Sequence, residues 1–502
     1  MSGIEAIRMK GITKAFGKVV ANDHISFSVN TGEIHALLGE NGAGKSTLMN
    51  MLSGIYRPDS GSVFIFGEEV SFSTPKDSIR KGIGMIHQHF KLVDVLTARD
   101  NIALGLRKGI PVRKQELTKK ILEISERYGL GIDPEKKVYE MSVGEKQTLE
   151  IIKVIFRGAR ILIMDEPTAV LTPQEIKKLF QIIRNMKEQG HAVVIITHKL
   201  NEVMEISDRI TILRGGRSID TVKIEDASIP SLIEKMVGGS VDLNIKRKTY
   251  DKKELLLSVE DLSVRSKYGN YALDKISFDL HSHEILGFAG VTGSGQKELC
   301  ETLAGLMKSE EGRVIFEEQN VLDKNANEII RMGIRLGFIP EDRLGMGLVS
   351  SMDITDNVIL KDYRLQAGPI LSRKPGMEKA NRIIERLDVK APGISTPVGK
   401  LSGGNIQKVL LGREIDSAPR VLITAYPVRG LDIVATHRIY DLLNEQKDKG
   451  VGIIFIGEDL DVLIELCDRI IVLADGRISG VLDAGNVTKE ELGYLMTGAK
   501  KI

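Results

Sequence analysis

The chain has 502 residues, 42% of them hydrophobic, and its 70 Lys+Arg against 68 Asp+Glu leave a formal charge of +2. So even a balance, with no long block of like charge, gives no support to a nucleic-acid partner. Apolar runs such as Ala192 to Thr197 and Ile453 to Ile456 fall far short of the ~20 residues that a membrane span needs. The first residues alternate charged and apolar types (Glu5, Arg8, Lys10) and show no secretory hydrophobic region. The two cysteines, Cys300 and Cys467, sit in apolar or amphipathic stretches, so buried thiols in a reducing cytosol are expected rather than a disulfide. They are also too few to ligate an iron–sulfur cluster.

Short apolar strands alternate with amphipathic helices along the chain. Ile34 to Leu38 leads through a loop to a helix from Lys45, and Ile161 to Met164, Ala192 to Thr197 and Ile210 to Leu213 follow as strands. This pattern predicts an α/β domain with a mainly parallel sheet. Between strands, roughly 91–141 is rich in Lys, Glu and Leu at helical spacing and predicts a helical insert, with a counterpart over roughly 350–401. The segment Val237 to Lys253 is polar, contains glycine and lacks an apolar period, so it reads as a linker. Domains are expected over 1–240 and 255–502, joined by 241–254.

Gly39-Glu40-Asn41-Gly42-Ala43-Gly44-Lys45-Ser46-Thr47 fits G-x-x-x-x-G-K-[ST], a loop whose backbone N–H groups cradle phosphates. In that pattern Lys45 reaches the terminal phosphates and the Ser46 hydroxyl ligates Mg²⁺. Asp165 and Glu166 end an apolar strand, which places both carboxylates at the strand's C-terminal edge beside the loop. Asp165 is the candidate for holding Mg²⁺ and Glu166 for polarising the attacking water. His198, at the end of the next strand, could contact the γ-phosphate and orient that water. Gln88 could bind Mg²⁺ and report its occupancy to the insert. Phe16 could stack on adenine or belong to the core.

The slot of the phosphate loop returns as Gly290 to Glu298, GVTGSGQKE, with Gln296 in place of the lysine and Lys297 in place of the hydroxyl. Lys297 cannot substitute, because one step along a helix turns a side chain by about 100°. Other pairs recur in the same order: Asp23 to Phe27 with Asp274 to Phe278, Ile86-His-Gln88 with Ile339-Pro-Glu341, Ser142 with Ser402, and Glu202 to Ile210 with Val462 to Ile470. Repeats this long are duplicated domains, not solenoid units. In the second half Leu401-Ser402-Gly403-Gly404-Asn405 leads into a helix expected over Ile406 to Glu414, an arrangement suited to an anion or to simple Ser N-capping. In the first half, Ser142-Val-Gly-Glu145 reads as a capping box.

With these motifs the chain resembles the ATP-binding-cassette (ABC) ATPases over essentially its whole length. Walker A, Q-loop, signature, Walker B, D-loop and H-loop occur in family order twice. The resemblance implies two tandem P-loop domains that stack head to tail, each nucleotide lying between the Walker motifs of one and the signature of the other. Site one would combine Lys45, Ser46, Gln88, Asp165, Glu166 and His198 with Ser402, Gly403, Gly404, Asn405 and the D-loop aspartate Asp432. Site two would face Met141-Ser-Val-Gly-Glu145, and its Walker B strand ends in Ala425 and Tyr426 where carboxylates belong. Glu341 and Glu458 replace its glutamine and histidine, and Thr172 stands opposite in place of an aspartate. Carboxylates around a triphosphate repel it, so site two is expected not to hydrolyse ATP. It could still bind nucleotide through the loop amides around Gly293 to Gly295.

Two fused cassettes without a membrane domain resemble the ATP-binding subunits of bacterial importers for sugars and nucleosides. His87 to Val93, Ser142 to Glu145, Ala169 to Glu175, Gly293 to Gln296, Ile339 to Arg343 and Glu458 to Asp461 look like the nucleoside branch, which works with lipoproteins of the basic-membrane-protein type. Tyr426 and Val428 depart from that branch. The implied cofactors are ATP and Mg²⁺, and the implied partners are membrane permease subunits docking near Phe90 to Arg99 and Asp342 to Ser351, on the cytoplasmic face of the membrane. A monosaccharide importer is the alternative. Soluble fused-cassette translation factors keep both sites catalytic and carry a long charged helical linker, neither of which is present, and DNA-repair cassettes would need zinc-binding cysteines.

Overall fold

The computed structural model describes residues 4–88, 90–104, 114–169, 171–239, 244–251, 253–266, 269–291, 293–332, 334–361, 363, 366 and 370–498. Parts of the expected linker and of both expected inserts, with His89 and Thr292, therefore lie outside the described residues. The chain divides into two compact units, Met1–Asp242 and Leu243–Ile502. Residues 247–250, within the segment read as linker, are anchored on the second unit. There Arg247 donates to the carbonyls of Ile464 and Cys467, and Tyr250 stacks on His283 at 4.4 Å.

Each unit is built on a six-stranded sheet. In the first the order is Arg217–Lys223, Arg209–Arg214, Ile34–Gly39, Ala192–Ile196, Ile161–Asp165, Ile83–Ile86. All neighbours are parallel except the edge pair Arg217–Lys223 with Arg209–Arg214. Ala192–Ile196 is buried at every position, as a strand covered on both faces must be, and its β-branched run suits that environment. The second unit repeats the order with Arg477–Asp483, Arg469–Ala474, Ile285–Ala289, Gly452–Ile456, Val421–Ala425 and Leu336–Ile339.

The recurring Asp-Arg-Ile pair is structural. Asp208 accepts from the N–H of Ile34 at 2.9 Å and Asp468 from that of Ile285 at 2.8 Å, each carboxylate also holding a lysine, Lys187 or Lys447. Each unit also carries a four-stranded antiparallel sheet that the sequence pattern did not reveal. It comprises Val19–Asn30, Glu5–Phe16, Ser60–Ile65 and Glu68–Val70 in the first unit. The expected inserts contain helices Ala98–Ala103 and Lys114–Tyr128 in one unit and Ile354–Ile359 and Lys374–Leu387 in the other, and they are followed by helices Val143–Phe156 and Gly403–Asp416. The last helix starts three residues before its expected position at Ile406, with Ser402 at the N-cap position and the two glycines in the first turn.

Candidate nucleotide site

The parallel strands deliver the first unit's candidate residues to one edge of the sheet. Four neighbouring strands end at Gly39, Ile196, Asp165 and Ile86, so the phosphate loop, His198, the Asp165-Glu166 pair and Gln88 emerge side by side at their carboxyl ends. The loop's shape requires glycine at Gly44: φ is 98°, and a Cβ there would come within 2.4 Å of the Ala21 carbonyl and the Asn22 amide. Helix Lys45–Leu52 begins at this loop and turns its positive end toward it.

Lys45 is buried and its ammonium donates to the carbonyls of Gly39 at 2.6 Å and Glu40 at 3.0 Å. Burial pushes its pKa down, against the pull of Glu166, Asp165 and Glu40. Burial likewise pushes the Asp165 carboxyl up, helped by the charge of Glu166 and opposed by Lys45. Burial also works to raise Glu166, but the hydrogen bond from His198 and the charges of His198, Lys45 and Lys199 outweigh it and leave that carboxyl below its ordinary range. Glu166 Oε1 lies 2.7 Å from His198 Nδ1. The Glu166 backbone is left-handed, φ 48°, and is held there by its N–H donating to the Ile196 carbonyl at 2.8 Å.

Ser46 and Gln88 are exposed at the same edge. Phe16 is 44% exposed and meets Tyr56 edge-on at 5.2 Å, with the Lys14 ammonium over its ring, so it is not a core residue. Its hairpin reaches the phosphate loop through Asn22, whose amide donates to the Gly44 carbonyl at 3.1 Å. Among the described residues no group of three His, Cys, Asp or Glu could hold a metal ion by itself. A Ser46 hydroxyl and an Asp165 carboxylate are hard oxygen donors, and they fit a Mg²⁺ that takes its remaining ligands from water and phosphate oxygens.

The second unit builds the same backbone with different chemistry. Tyr426 occupies the place of Glu166 with φ 50° and donates its N–H to the Ile456 carbonyl at 2.9 Å. Burial, then the charges of Glu458 and Glu341, push its phenol far up. Gln296 is buried with its amide 3.4 Å from the Val291 carbonyl, while Lys297 is 67% exposed and pairs with Glu301 at 3.7 Å. Glu341 and Glu458 do not face one another unpaired. Arg429 donates to Glu341 and lies 3.5 Å from Glu458, so one guanidinium spans the two positions held by Gln88 and His198 in the first unit.

The signature-like turns differ in what their serines do. The Ser142 hydroxyl accepts from the Glu145 N–H at 3.2 Å and Glu145 returns a bond to the Ser142 N–H, completing a capping box, with Lys136 neutralising the carboxylate at 2.7 Å. The Ser402 hydroxyl does not cap its helix. It accepts from the Asn405 side chain at 2.8 Å and stays exposed. Asp432 caps helix Ile433–Asp448 by accepting from the Ala435 N–H, a structural role that sequence reading overlooked. Also overlooked were Thr168, Lys199 and Glu202, which bond to one another beside Glu166 and His198. The repeat contained the signal, since Val428, Asp459 and Val462 stand in their places.

A phosphate loop, a carboxylate pair and a histidine at one sheet edge, with a helical insert, define an ATP-binding cassette. The sequence model of the ABC transporter family matches residues 22–169 and 273–427. The chain belongs to that family and is an ATPase with two tandem cassettes. The nucleoside import ATP-binding protein NupA of Lactococcus lactis is 41% identical over 99% of both chains. The guanosine import ATP-binding protein NupO of Bacillus subtilis is 41% identical over 98% of this chain and 97% of its own. A ribose import ATP-binding protein of Rubrobacter xylanophilus is 38% identical over 99% and 98%.

Proposed function

We propose that this chain is the ATP-hydrolysing subunit of a bacterial nucleoside importer and that turnover occurs at one composite site. In this reading Lys45, Ser46, Gln88, Asp165, Glu166 and His198 of the first unit act with Ser402, Gly403, Gly404, Asn405 and Asp432 of the second. One observation carries it: the first unit has a complete charged set but a serine committed to capping, and the second has an exposed serine bonded to the Asn405 side chain instead of to its helix backbone, but Tyr426, Gln296 and an Arg429-bridged carboxylate pair. Neither unit has a full complement alone.

Bound Mg²⁺ supplies charge neutralisation of the phosphates, and Ser46, Asp165 and Gln88 are the residues that would hold it. Glu166, kept ionised, takes a proton from the attacking water, and His198 fixes the orientation of that carboxylate. Lys45 leaves the Gly39 and Glu40 carbonyls to meet phosphate oxygens. Phe16 offers an exposed ring for the adenine face. The second unit's own loop serves at most as a nucleotide-holding hinge.

Among the described residues no helix is long and apolar enough to cross a membrane. In this reading separate permease subunits form the pore, and the chain is peripheral on the cytoplasmic face. Docking is assigned to Phe90–Arg99 and Asp342–Ser351. Both segments expose apolar side chains, Val93 and Val95 in one and Leu344, Met346 and Val349 in the other. Each is pinned by a buried asparagine: Asn101 accepts from the Val93 N–H and Asn357 from that of Val349. An extracytoplasmic solute-binding lipoprotein would act through the permease, and no nucleic acid is involved.

The test is the ordering of two mutants in ATP turnover. Ser402→Ala should damage hydrolysis from the second unit, whereas Ser142→Ala should do much less; the reverse order would remove the composite assignment. Uptake of labelled nucleosides against ribose, with the permease co-expressed, decides the cargo.

A further inference from the structure

Beside the Glu166–His198 pair lies a closed polar ring that the reading above does not use. Thr168 is 2% exposed, and its hydroxyl donates to Glu202 Oε2 at 2.5 Å, the short length of a charge-assisted bond. The other Glu202 oxygen pairs with the Lys199 ammonium at 3.1 Å, and that ammonium also donates to the Thr168 carbonyl at 3.3 Å. Thr168 follows Glu166 by two residues, and Lys199 directly follows His198. The ring therefore joins the loop that carries the acid to the loop and helix that carry the histidine.

The second unit serves as an internal control. Its corresponding turn has the same left-handed residue, Tyr426, and the same N–H bond to the neighbouring strand, so the turn itself needs no ring. There Val428 and Val462 pack against the apolar core, and Asp459 spends its carboxylate capping helix Leu460–Leu466. All three polar members are missing from the unit that also lacks the acid and the histidine.

We propose that Thr168, Lys199 and Glu202 are positioning residues for ATP hydrolysis, tying the Glu166 loop to the His198 loop so that the 2.7 Å contact between those two side chains is held during turnover. The requirement is geometric, since misplacing a reacting group by about 1 Å can cost roughly 10²-fold in rate. The inference rests on the assignment of Glu166 and His198 made above.

The experiment compares full-length Thr168→Val, Thr168→Ser, Glu202→Gln and Glu166→Gln proteins in ATP turnover. Thr168→Val keeps the shape and removes the hydroxyl. Its kcat should fall at least about tenfold, with KM for ATP changed less than about threefold, and Thr168→Ser should recover most of the loss. A Thr168→Val kcat within about twofold of the parent, or a Thr168→Ser protein as slow as the valine variant, overturns the proposal. Should Thr168→Val not fold, Glu202→Gln decides. A kcat drop at constant KM supports the ring, and an unchanged kcat removes it. Glu166→Gln separates the two levels: if that variant retains full turnover, the assignment of the acid fails, whereas its inactivity beside an unaffected Thr168→Val defeats only the ring.

Discussion

His198 Nδ1 lies 2.7 Å from Glu166 Oε1 across 32 positions of sequence, and the histidine side chain is half exposed while the carboxylate is largely buried. The partly desolvated acid is thereby kept ionised by a partner that is itself accessible. The corresponding positions of the second unit hold Tyr426 and Glu458, so a phenol stands where the first unit has the Glu166 carboxylate.

Replacing Glu166 by Gln retains the shape and removes the proposed base. Turnover should drop by about 10²-fold or more, while ATP remains bound, and His198→Ala should lose a comparable factor. Phosphate release and equilibrium binding of ATP measure the two halves of this statement. Unaltered hydrolysis in the glutamine variant contradicts it.

Repairing the second phosphate loop should not create a second active site. Gln296→Lys together with Lys297→Ser restores the loop pattern but leaves Ala425 and Tyr426 where carboxylates are needed, with Arg429 between Glu341 and Glu458. The double variant should hydrolyse ATP at the parent rate to within about twofold. A clear gain would show that the loop alone limits this unit.

Acid should weaken the first unit before the second. His35 is buried, with Nδ1 2.8 Å from Glu33 and Nε2 2.7 Å from the Thr211 hydroxyl, and burial depresses its pKa against the pull of Glu33. The unfolded chain takes up a proton near the ordinary histidine value of 6.5 that the folded unit resists, so this contribution is present above that pH and falls away below it. Burial depresses His87 and His191 in the same direction. In the second unit Leu286 and Ile471 occupy the positions of His35 and Thr211, both fully buried. Hydrogen exchange on the full chain, corrected for intrinsic rates, should show strand Ile34–Gly39 losing more protection than Ile285–Ala289 below pH 6.5. His35→Leu with Thr211→Ile should remove most of the difference.

Neither thiol should react in the native protein. Cys300 and Cys467 are 1% and 0% exposed, sit in separate apolar clusters, and burial pushes both far above the ordinary thiol range. A chromogenic disulfide reagent should titrate no thiol before unfolding and two after it. Rapid labelling of the folded chain would contradict this.

The sequence by itself determined the duplication, the intact loop Gly39 to Thr47, the Asp165-Glu166 pair and their loss in the second half, because each needs particular residue types at fixed local spacing. It also announced the capping box Ser142 to Glu145, for the same reason. It did not announce the antiparallel sheets: strand Glu5–Phe16 carries register shifts between Met9 and Ile12 and beyond, which break the two-residue alternation by which such strands are recognised. The tertiary structure alone decided which distant side chains meet. Glu166 with His198, Thr168 with Glu202, and Arg429 with Glu341 and Glu458 are joined by strand order and by left-handed turns at the sheet's carboxyl edge, and no local pattern encodes which strands lie side by side.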